Sequence, residues 1–347
     1  MAMFAVGPLI DKFGARAVLL VVGTLMGFAT LWMSFITSQI ELYLGFAALR
    51  ILGQGSLSLI GTALIAIWFI RRRGKLTALA GLGMVAGQAL FPPLNNFLIT
   101  EYGWRDAWVV LAVIVWAIAI PLAIFVVRRS PESIGSAPDG DEKSEVNTIE
   151  TGWSVANAVR TYSFWLLLVA SIPNSLIGTA LIFHQVDIFA VKGLSSTVSA
   201  SALSIMGPAS FAGIMVGGVA TDRFPNRYLI ALGQGLLVVA ILLVVSLSEI
   251  WQAIGYGLLL GFSMGFLMNV STVIWPNYFG RKHIGSIKGI VSAVMVASAA
   301  LGPLPLSLGL DLMGSYEKVL LFSIAMPVIC AISAYIAKPP VAHTKNI

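Results

Sequence analysis

The sequence predicts an all-α membrane protein made of two related helical halves, and three observations carry that prediction. First, 58% of its 347 residues are hydrophobic, only 10% are charged, and mean hydropathy is +0.92. A soluble domain carries about 25% charged residues. Second, apolar stretches of about 18 residues or more recur along nearly the whole chain, each long enough to cross a hydrocarbon core of roughly 30 Å at about 1.5 Å per residue. Third, Gly7 to Arg16 (G-P-L-I-D-K-F-G-A-R) returns as Gly218 to Arg227 (G-V-A-T-D-R-F-P-N-R). Gly7 and Gly218, Asp11 and Asp222, Phe13 and Phe224, and Arg16 and Arg227 are all separated by 211 positions. The same offset links Gly74 to Gly285, Pro92 to Pro303 and Gly103 to Gly314, so the duplication runs through several helices. Backbone groups in lipid must be bonded within a helix or a closed barrel, and no strand-like alternation is present, which leaves helices.

In chain order, full spans are expected at about 17–36, 42–69, 77–100, 107–127, 163–187, 197–219, 228–248, 251–275, 286–309 and 318–337. The apolar segment before them, Met1 to Ile10, reaches only about 15 Å as a helix and cannot span alone. Ten full transmembrane helices plus a partial one are therefore expected. The expected domains are residues 1–127 as an N-terminal transmembrane half, 128–162 as a cytoplasmic linker rich in Ser, Pro and acidic residues, and 163–347 as a six-helix C-terminal half. The second half begins near Ser163, about 55 residues before Gly218, whereas Gly7 has six residues before it. The repeat thus predicts that about 48 residues, one helix and the front of the next, would complete the first half.

Placing the Asp11 loop in the cytoplasm puts 17 of the 21 Lys and Arg residues inside, with Arg105, Lys192 and Lys318 outside and Arg50 within a span. This positive-inside bias fixes the orientation of a multi-pass integral protein, expected in a plasma membrane and specifically a bacterial inner membrane. The net charge of +6 sits in short clusters between spans, which reads as topology and not as nucleic-acid binding. A single cysteine, Cys330, excludes an intramolecular disulfide, and no His or Cys cluster indicates a metal site.

The G-x-x-x-D-x-x-G-x-R element formed by Gly7, Asp11, Gly14 and Arg16, with its degenerate copy at Gly218, Asp222 and Arg227, resembles the signature loop of the major facilitator superfamily of secondary transporters. The resemblance covers essentially the whole chain. Arg50 to Gly55 (R-I-L-G-Q-G) resembles the fourth-helix motif of that superfamily. Phe69 to Lys75 (F-I-R-R-R-G-K), Tyr102 to Arg105 (Y-G-W-R), His184 to Asp187 (H-Q-V-D), Tyr278 to Gly285 (Y-F-G-R-K-H-I-G) and Asp311 to Tyr316 (D-L-M-G-S-Y) resemble its monocarboxylate and oxalate:formate transporter branch. The fifth helix, with Phe91-Pro92-Pro93, departs from the Gly-Pro pair of drug antiporters, and the eighth span lacks the charged residue common in the carboxylate branch. The resemblance implies two halves rocking about a central cavity. It also implies that Asp11 meets the start of the eleventh helix near Ser286, and Asp222 the start of the fifth near Thr77, as a cytoplasmic latch.

Candidate substrate contacts are Arg50, Gln54, Gln88, Asn174 and Asn269. Arg50 is a cation well inside a span, where insertion costs about 2.5 to 3.5 kcal/mol, so it needs a polar cavity or a partner. Gln54 and Ser58 follow at steps of four and extend a polar stripe. The repeat places Gly261 opposite Arg50, so the charge is not duplicated. It suits an anion site, an interhelical relay or a structural arginine bonded to carbonyls. Asn174, Gly178 and Gln185 are read as one face of the seventh helix, Gln88 and Asn95 as one of the fifth, with Asn269 beside Thr272 on the tenth. Interhelical hydrogen bonding is the alternative for all of them. His184, beside Asp187, reads as a pH-sensitive gate or an interfacial histidine.

Gly261 to Gly265 (G-F-S-M-G) matches a nucleophile-elbow pattern but lies in a membrane helix, so it and Gly257 read as a small-residue packing ladder, as do Gly83 and Gly87. No enzyme activity and no cofactor are expected. The reading is a monomeric secondary transporter of a small organic solute, a carboxylate anion before others. The rivals are a shortened, non-transporting membrane protein and an exporter of hydrophobic compounds.

Overall fold

The computed structural model describes residues 2–140 and 152–340, and the described residues are helical throughout their regular structure. Helix α1 (Ala2–Phe13) and α2 (Ala15–Trp32) are followed by α3 (Gln39–Leu49), a π-helical stretch (Arg50–Leu57) and α4 (Ser58–Trp68). Ser38 starts α3 with a capping box: its hydroxyl accepts from the Glu41 N–H while the Glu41 side chain bonds back to the Ser38 N–H. Helix α5 (Arg73–Pro121) breaks at Gly103, whose φ of 82° lies in the left-handed region that glycine adopts without strain. That break separates the expected spans 77–100 and 107–127. Gly314, 211 positions on, also has positive φ (66°) and ends a helix. The two glycines share a positive φ but not ψ, which is 163° at Gly103 and 10° at Gly314.

The second half runs α6 (Val155–Ala158), α7 (Tyr162–Phe183), α8 (Gln185–Val191), α9 (Ser196–Thr221), α10 (Asn226–Val245), α11 (Ile250–Phe279), α12 (Ile284–Leu301), α13 (Pro303–Met313), α14 (Tyr316–Ser323) and α15 (Ala325–Ile336). Several expected spans are composites. The span expected at 286–309 is α12 and α13 joined at Gly302, and the last is α14 and α15. Among the described residues, nine helical stretches are long and apolar enough to cross a membrane, with Pro93–Val126 the one in the segment that the sequence divides into two spans. Large apolar side chains such as Phe125, Leu312 and Phe322 are exposed, as lipid-facing positions must be when hydrocarbon is the solvent.

Two compact units emerge. One comprises Met1–Arg71, Gly83–Val155 and Gly280–Ala293, and the other Arg72–Leu82, Ala156–Phe279 and Val294–Ile347. Each unit thus takes a short helix start from the opposite half of the sequence. The first has a core of Val6, Ile10, Val18, Val22, Leu59 and Ile60. The second centres on Leu181, Leu237, Ile241, Tyr256 and Leu260.

Within the second unit, α9 lies directly on α11. A Cβ at Gly257, Gly261 or Gly265 would sit 2.5, 2.5 and 1.9 Å from the carbonyl oxygens of Ala202, Met206 and Ser210. Ser263, the nucleophile of the apparent elbow, donates to the Gly233 carbonyl at 3.1 Å and is fully buried. Gly83 and Gly87 behave otherwise: among the described residues no atom lies within 4 Å of a Cβ on Gly83, and only Phe91 of the same helix, at 3.8 Å, approaches one on Gly87. The ladder expected there does not form, because four-residue spacing permits close approach without supplying a facing helix.

Backbones also come into close contact where the signature motifs meet the helix starts. A Cβ on Gly7 would lie 2.4 Å from the Gly285 oxygen, and one on Gly74 would lie 2.2 Å from the Gly218 oxygen. Gly7→Ala and Gly74→Ala are expected to destabilise the fold by about 1–3 kcal/mol each, the usual cost of overpacking. Gly61→Ala, with nothing within 4 Å of the added methyl, should leave the melting temperature in detergent unchanged or slightly raised.

Candidate functional site

The two signature loops place their carboxylates on uncapped helix starts. Asp11, near the end of α1, accepts from the Gly285 N–H through Oδ1 at 2.9 Å and from the Ser286 N–H through Oδ2 at 2.8 Å. The Ser286 hydroxyl donates to the same Oδ2. Asp222, at the end of α9, accepts from the Gly74 N–H through Oδ1 at 2.9 Å and from the Lys75 N–H through Oδ2 at 3.2 Å. Each carboxylate therefore satisfies orphan N–H groups and faces the positive end of a helix dipole. Asp11 and Asp222, Gly74 and Gly285, and Lys75 and Ser286 all differ by the repeat offset of 211. The two contacts are copies of one another. Asp222 meets Gly74 and Lys75, two to three residues before the expected Thr77, because the first free N–H groups of α5 lie there.

Residues around these contacts explain why the helix starts stay in place. Arg73 is 3% exposed, and its Nη1 donates to Asn277 Oδ1 at 3.0 Å. Asn269, 1% exposed, donates from Nδ2 to the Gly74 carbonyl at 3.2 Å. Asn269 is thus built into the Asp222 contact, and its Oδ1 has no hydrogen-bond partner among the described residues. In the first unit, Lys288 is 5% exposed and bonds the Thr62 carbonyl at 3.3 Å. Arg281 donates to the Ile67 carbonyl at 3.1 Å and pairs with Glu132 of the linker. Asp139 of the linker accepts from the N–H groups of Ile70 and Arg71 at 3.0 and 2.9 Å. In the sequence Arg73, Arg281 and Lys288 count as positive-inside charges, Arg73 and Arg281 also as members of branch-like motifs, and none is marked as holding a helix start. Their adjacency to Gly74 and Gly285 was the signal available.

The signature loops diverge beyond the carboxylates. Gly14 has φ 84° and ψ 154°, a conformation that strains any L-residue, and a Cβ there would approach the Arg129 side chain at 2.9 Å. Its counterpart is Pro225, with φ −58°. Arg16 donates to the Ile124 carbonyl at 2.9 Å, tying α2 to the end of the first half. Arg227 instead donates to the Tyr228 hydroxyl at 2.7 Å and stacks on that ring. The common offset of Arg16 and Arg227 therefore does not carry a common role.

Arg50 opens the π-helical stretch and is exposed, with Nη1 3.4 Å from Gln54 Oε1. Ser56 donates to the Ile51 carbonyl at 2.9 Å, closing the wider turn. Single π turns are frequent at functional positions because they rotate side chains out of α register. The stripe of Arg50, Gln54 and Ser58 at regular α spacing is corrected accordingly: Arg50 and Gln54 meet across a π turn, and Ser58 begins the next α-helix. Gln88 lies on α5, and its side chain is outside the described residues.

Asn174 is half-buried on α7, with Oδ1 lacking a partner among the described residues. Gln185 does not share its face, since α7 ends at Phe183 and Gln185 starts α8, fully buried and donating to the Ser199 carbonyl at 2.9 Å. His184, at the break, is buried with Nε2 3.1 Å from the Pro303 carbonyl and Nδ1 3.4 Å from the Tyr316 hydroxyl.

A duplicated bundle of membrane helices with paired carboxylate and helix-start contacts is the arrangement of a two-half membrane transporter. A family model described as Major Facilitator Superfamily matches residues 1–210 and again 166–347, and the chain belongs to that superfamily. The human monocarboxylate transporter 2 is 24% identical over 341 residues, covering 91% of this chain and 70% of that protein. The probable sulfoacetate transporter SauU of Cupriavidus necator is 23% identical over 362 residues, covering 96% of this chain and 80% of that one. The Escherichia coli fucose:proton symporter FucP shares the fold with a TM-score of 0.72 at 16% identity, over 97% of this chain and 87% of that one. The chain is a multi-pass integral membrane protein and a secondary transporter, resembling the monocarboxylate transporter branch.

Asp11→Ala should speed hydrogen exchange of the Gly285 and Ser286 amides about 10- to 100-fold, the equivalent of one charge-assisted hydrogen bond, and leave Gly74 and Lys75 protected. Asp222→Ala should do the reverse. Peptide-resolved hydrogen–deuterium exchange checks this, and loss of protection in the same half as the substitution would contradict it.

Burial raises the Glu132 pKa, but the hydrogen bond from Arg281 and the smaller favourable contacts outweigh it and hold the carboxyl below its ordinary value. Its contribution to docking the linker is therefore present above the unfolded value of about 4.5 and is lost as pH falls through the lower folded value. Glu132→Gln should loosen residues 131–134 in exchange experiments at pH 7 and make no difference at a pH low enough to protonate the folded carboxyl.

Proposed function

We propose that this protein carries a small organic carboxylate across the membrane by alternating access, with Arg50 as the cation that receives the anion. The observation that carries the reading is the placement of Arg50. It is an exposed guanidinium at the first position of a π-helical segment within a membrane-spanning stretch, held only by the neutral Gln54 amide among the described residues. A cation there needs a negative partner or water, and a carboxylate substrate supplies the first through a bidentate pair. Gln54 orients the guanidinium. Gln88 and Asn174 are the neutral contacts of the proposed cavity; Asn174 offers an acceptor without a partner among the described residues.

The names of two relatives support an acidic solute: one is a monocarboxylate transporter and the other a probable sulfoacetate transporter. The Asp11 and Asp222 contacts act in this reading as the cytoplasmic latch. Opening toward the cytoplasm breaks the five hydrogen bonds described above and hydrates both carboxylates, and solute binding at Arg50 shifts the balance between closed and open latches. Asn269, bonded to the Gly74 carbonyl, belongs to the latch and links it to α11. The protein works as a monomer in this reading.

Uptake of radiolabelled lactate, oxalate and sulfoacetate into proteoliposomes tests the reading. Arg50→Ala should lower the rate for the transported acid at least about 30-fold, in line with the roughly 2–5 kcal/mol lost when one partner of a buried charged pair is removed. Arg50→Lys should recover part of it. Carboxylate flux that is unaffected by Arg50→Ala, in protein that elutes as a single folded species, would overturn the role given to Arg50. Absence of flux for every acid would overturn the substrate class.

A further inference from the structure

The N-terminal end of α10 borders a cavity that neither the carboxylate contacts nor Arg50 uses. It encloses about 610 Å³, and its lining includes Asn226, Arg227, Asn277, Tyr278 and Lys338. The two charged residues among its lining are both cations, and no carboxylate lines it. All five belong to a single compact unit. Helix α10 is 20 residues long, and Pro225, the residue before it, has no side chain able to cap its first N–H groups. The Tyr228 N–H is taken by the Pro225 carbonyl at 3.0 Å, which leaves those of Asn226 and Arg227 available to an anion, together with the positive end of the helix dipole.

A second observation points to a ligand independently of that helix end. Asn226 is 7% exposed, lines the cavity, and its Nδ2 has no hydrogen-bond partner among the described residues. A buried amide donor left without an acceptor costs about 1–3 kcal/mol, so native proteins rarely keep one without a reason. The neighbouring polar groups are already committed. Asn277 Oδ1 accepts from Arg73, and the Tyr278 hydroxyl donates to the Ala337 carbonyl at 2.9 Å. The Arg227 guanidinium is held in place by the Tyr228 ring, 4.6 Å from its centroid, and by the Tyr228 hydroxyl. What remains is a converging set of donors: Asn226 Nδ2, the uncapped N–H groups, the rest of the Arg227 fork and the Lys338 ammonium.

We infer that this cavity binds a phosphate ester of net negative charge, without a cationic substituent, on the cytoplasmic side of the membrane. A tetrahedral phosphate presents acceptor oxygens in several directions and matches donors arriving from a helix start, an amide, a guanidinium and an ammonium together. The cavity is larger than a bare phosphate, which leaves room for its ester substituent. Tyr228 and Tyr335 pack 5.3 Å apart beside Arg227, both well exposed, as aromatic side chains are at the headgroup level of a bilayer. The site adjoins the Asp222 contact through the Asn277–Arg73 hydrogen bond, so occupancy stiffens the segment that holds the start of α5.

Native mass spectrometry of the full chain in detergent, titrated with phosphatidylglycerol or with neutral phosphatidylcholine, tests the inference, with Asn226→Asp and the double variant Arg227→Gln/Lys338→Gln alongside. An acidic residue in the first turn of a helix is favourable, so Asn226→Asp keeps the fold while replacing the donor with a repelling charge. The expected result is preferential retention of phosphatidylglycerol by the unaltered chain, reduced about fivefold for each cation removed and at least as much by Asn226→Asp. A parallel arm follows the melting temperature with inorganic phosphate. A rise that the variants abolish assigns a free phosphate group as sufficient, and lipid retention without such a rise assigns the headgroup. Equal retention of both lipids together with no effect of phosphate overturns the inference, as does unaltered binding of both probes by folded Asn226→Asp.

Discussion

The first N–H groups of a membrane helix must be bonded or hydrated, and at the starts of α5 and α12 the carboxylates of Asp222 and Asp11 meet that requirement from another helix. The bonds are short because the backbones touch: Gly7 lies against Gly285 and Gly218 against Gly74. A side chain at any of these positions would push the carboxylate out of reach. The motif's glycine and aspartate are thus one device, the glycine setting the distance over which the aspartate acts. Arg73, Asn269, Lys288 and Arg281 then bind the same helix starts from the side. The allocation of 72–82 and 280–293 to the compact units of the opposite half follows from these bonds.

Elsewhere the chain departs from regular helix where lipid would discourage it. Gly103, Gly302 and the His184 break interrupt the ladder, and at His184 the ring fills the gap by bonding the Pro303 carbonyl region. The π-helical turn at Arg50 is different in kind. No glycine with positive φ causes it, and the Ser56 hydroxyl satisfies the widened turn from within. The chain thereby exposes a guanidinium and an amide on one surface of a segment that is otherwise apolar.

Much of this architecture was legible in the sequence because membrane helices obey simple rules. Length, apolarity and the distribution of Lys and Arg located the spans, and the repeat offset identified Gly74 and Gly285 before their contact was visible. The resemblance placed the Asp11 contact at Ser286, where it lies, and the Asp222 contact near Thr77, two to three residues beyond Gly74 and Lys75. What escaped was anything decided by facing surfaces. Gly83 and Gly257 look alike as small-residue ladders, yet only the second has a helix opposite it. Asn174 and Gln185 share a face only if the helix between them is unbroken. Asn269 was read as a cavity residue because a lone Asn in an apolar span carries no mark of its partner, here a backbone carbonyl 195 positions away.

The exchanged geometry of the two carboxylates bears on how such a chain arose. A single half contains both an aspartate and a matching helix start, Asp11 with Gly74 or Asp222 with Gly285, yet neither aspartate bonds the start within its own half. A lone ancestral unit would have been unsatisfied at both ends and complete only against a second copy of itself, through two identical contacts. Fusion into one chain relaxed that identity, since each contact could then be altered by substitutions in one copy alone. Pro225, standing where the first copy keeps Gly14, is a trace of that release: the carboxylate kept its duty while the turn behind it became free to change.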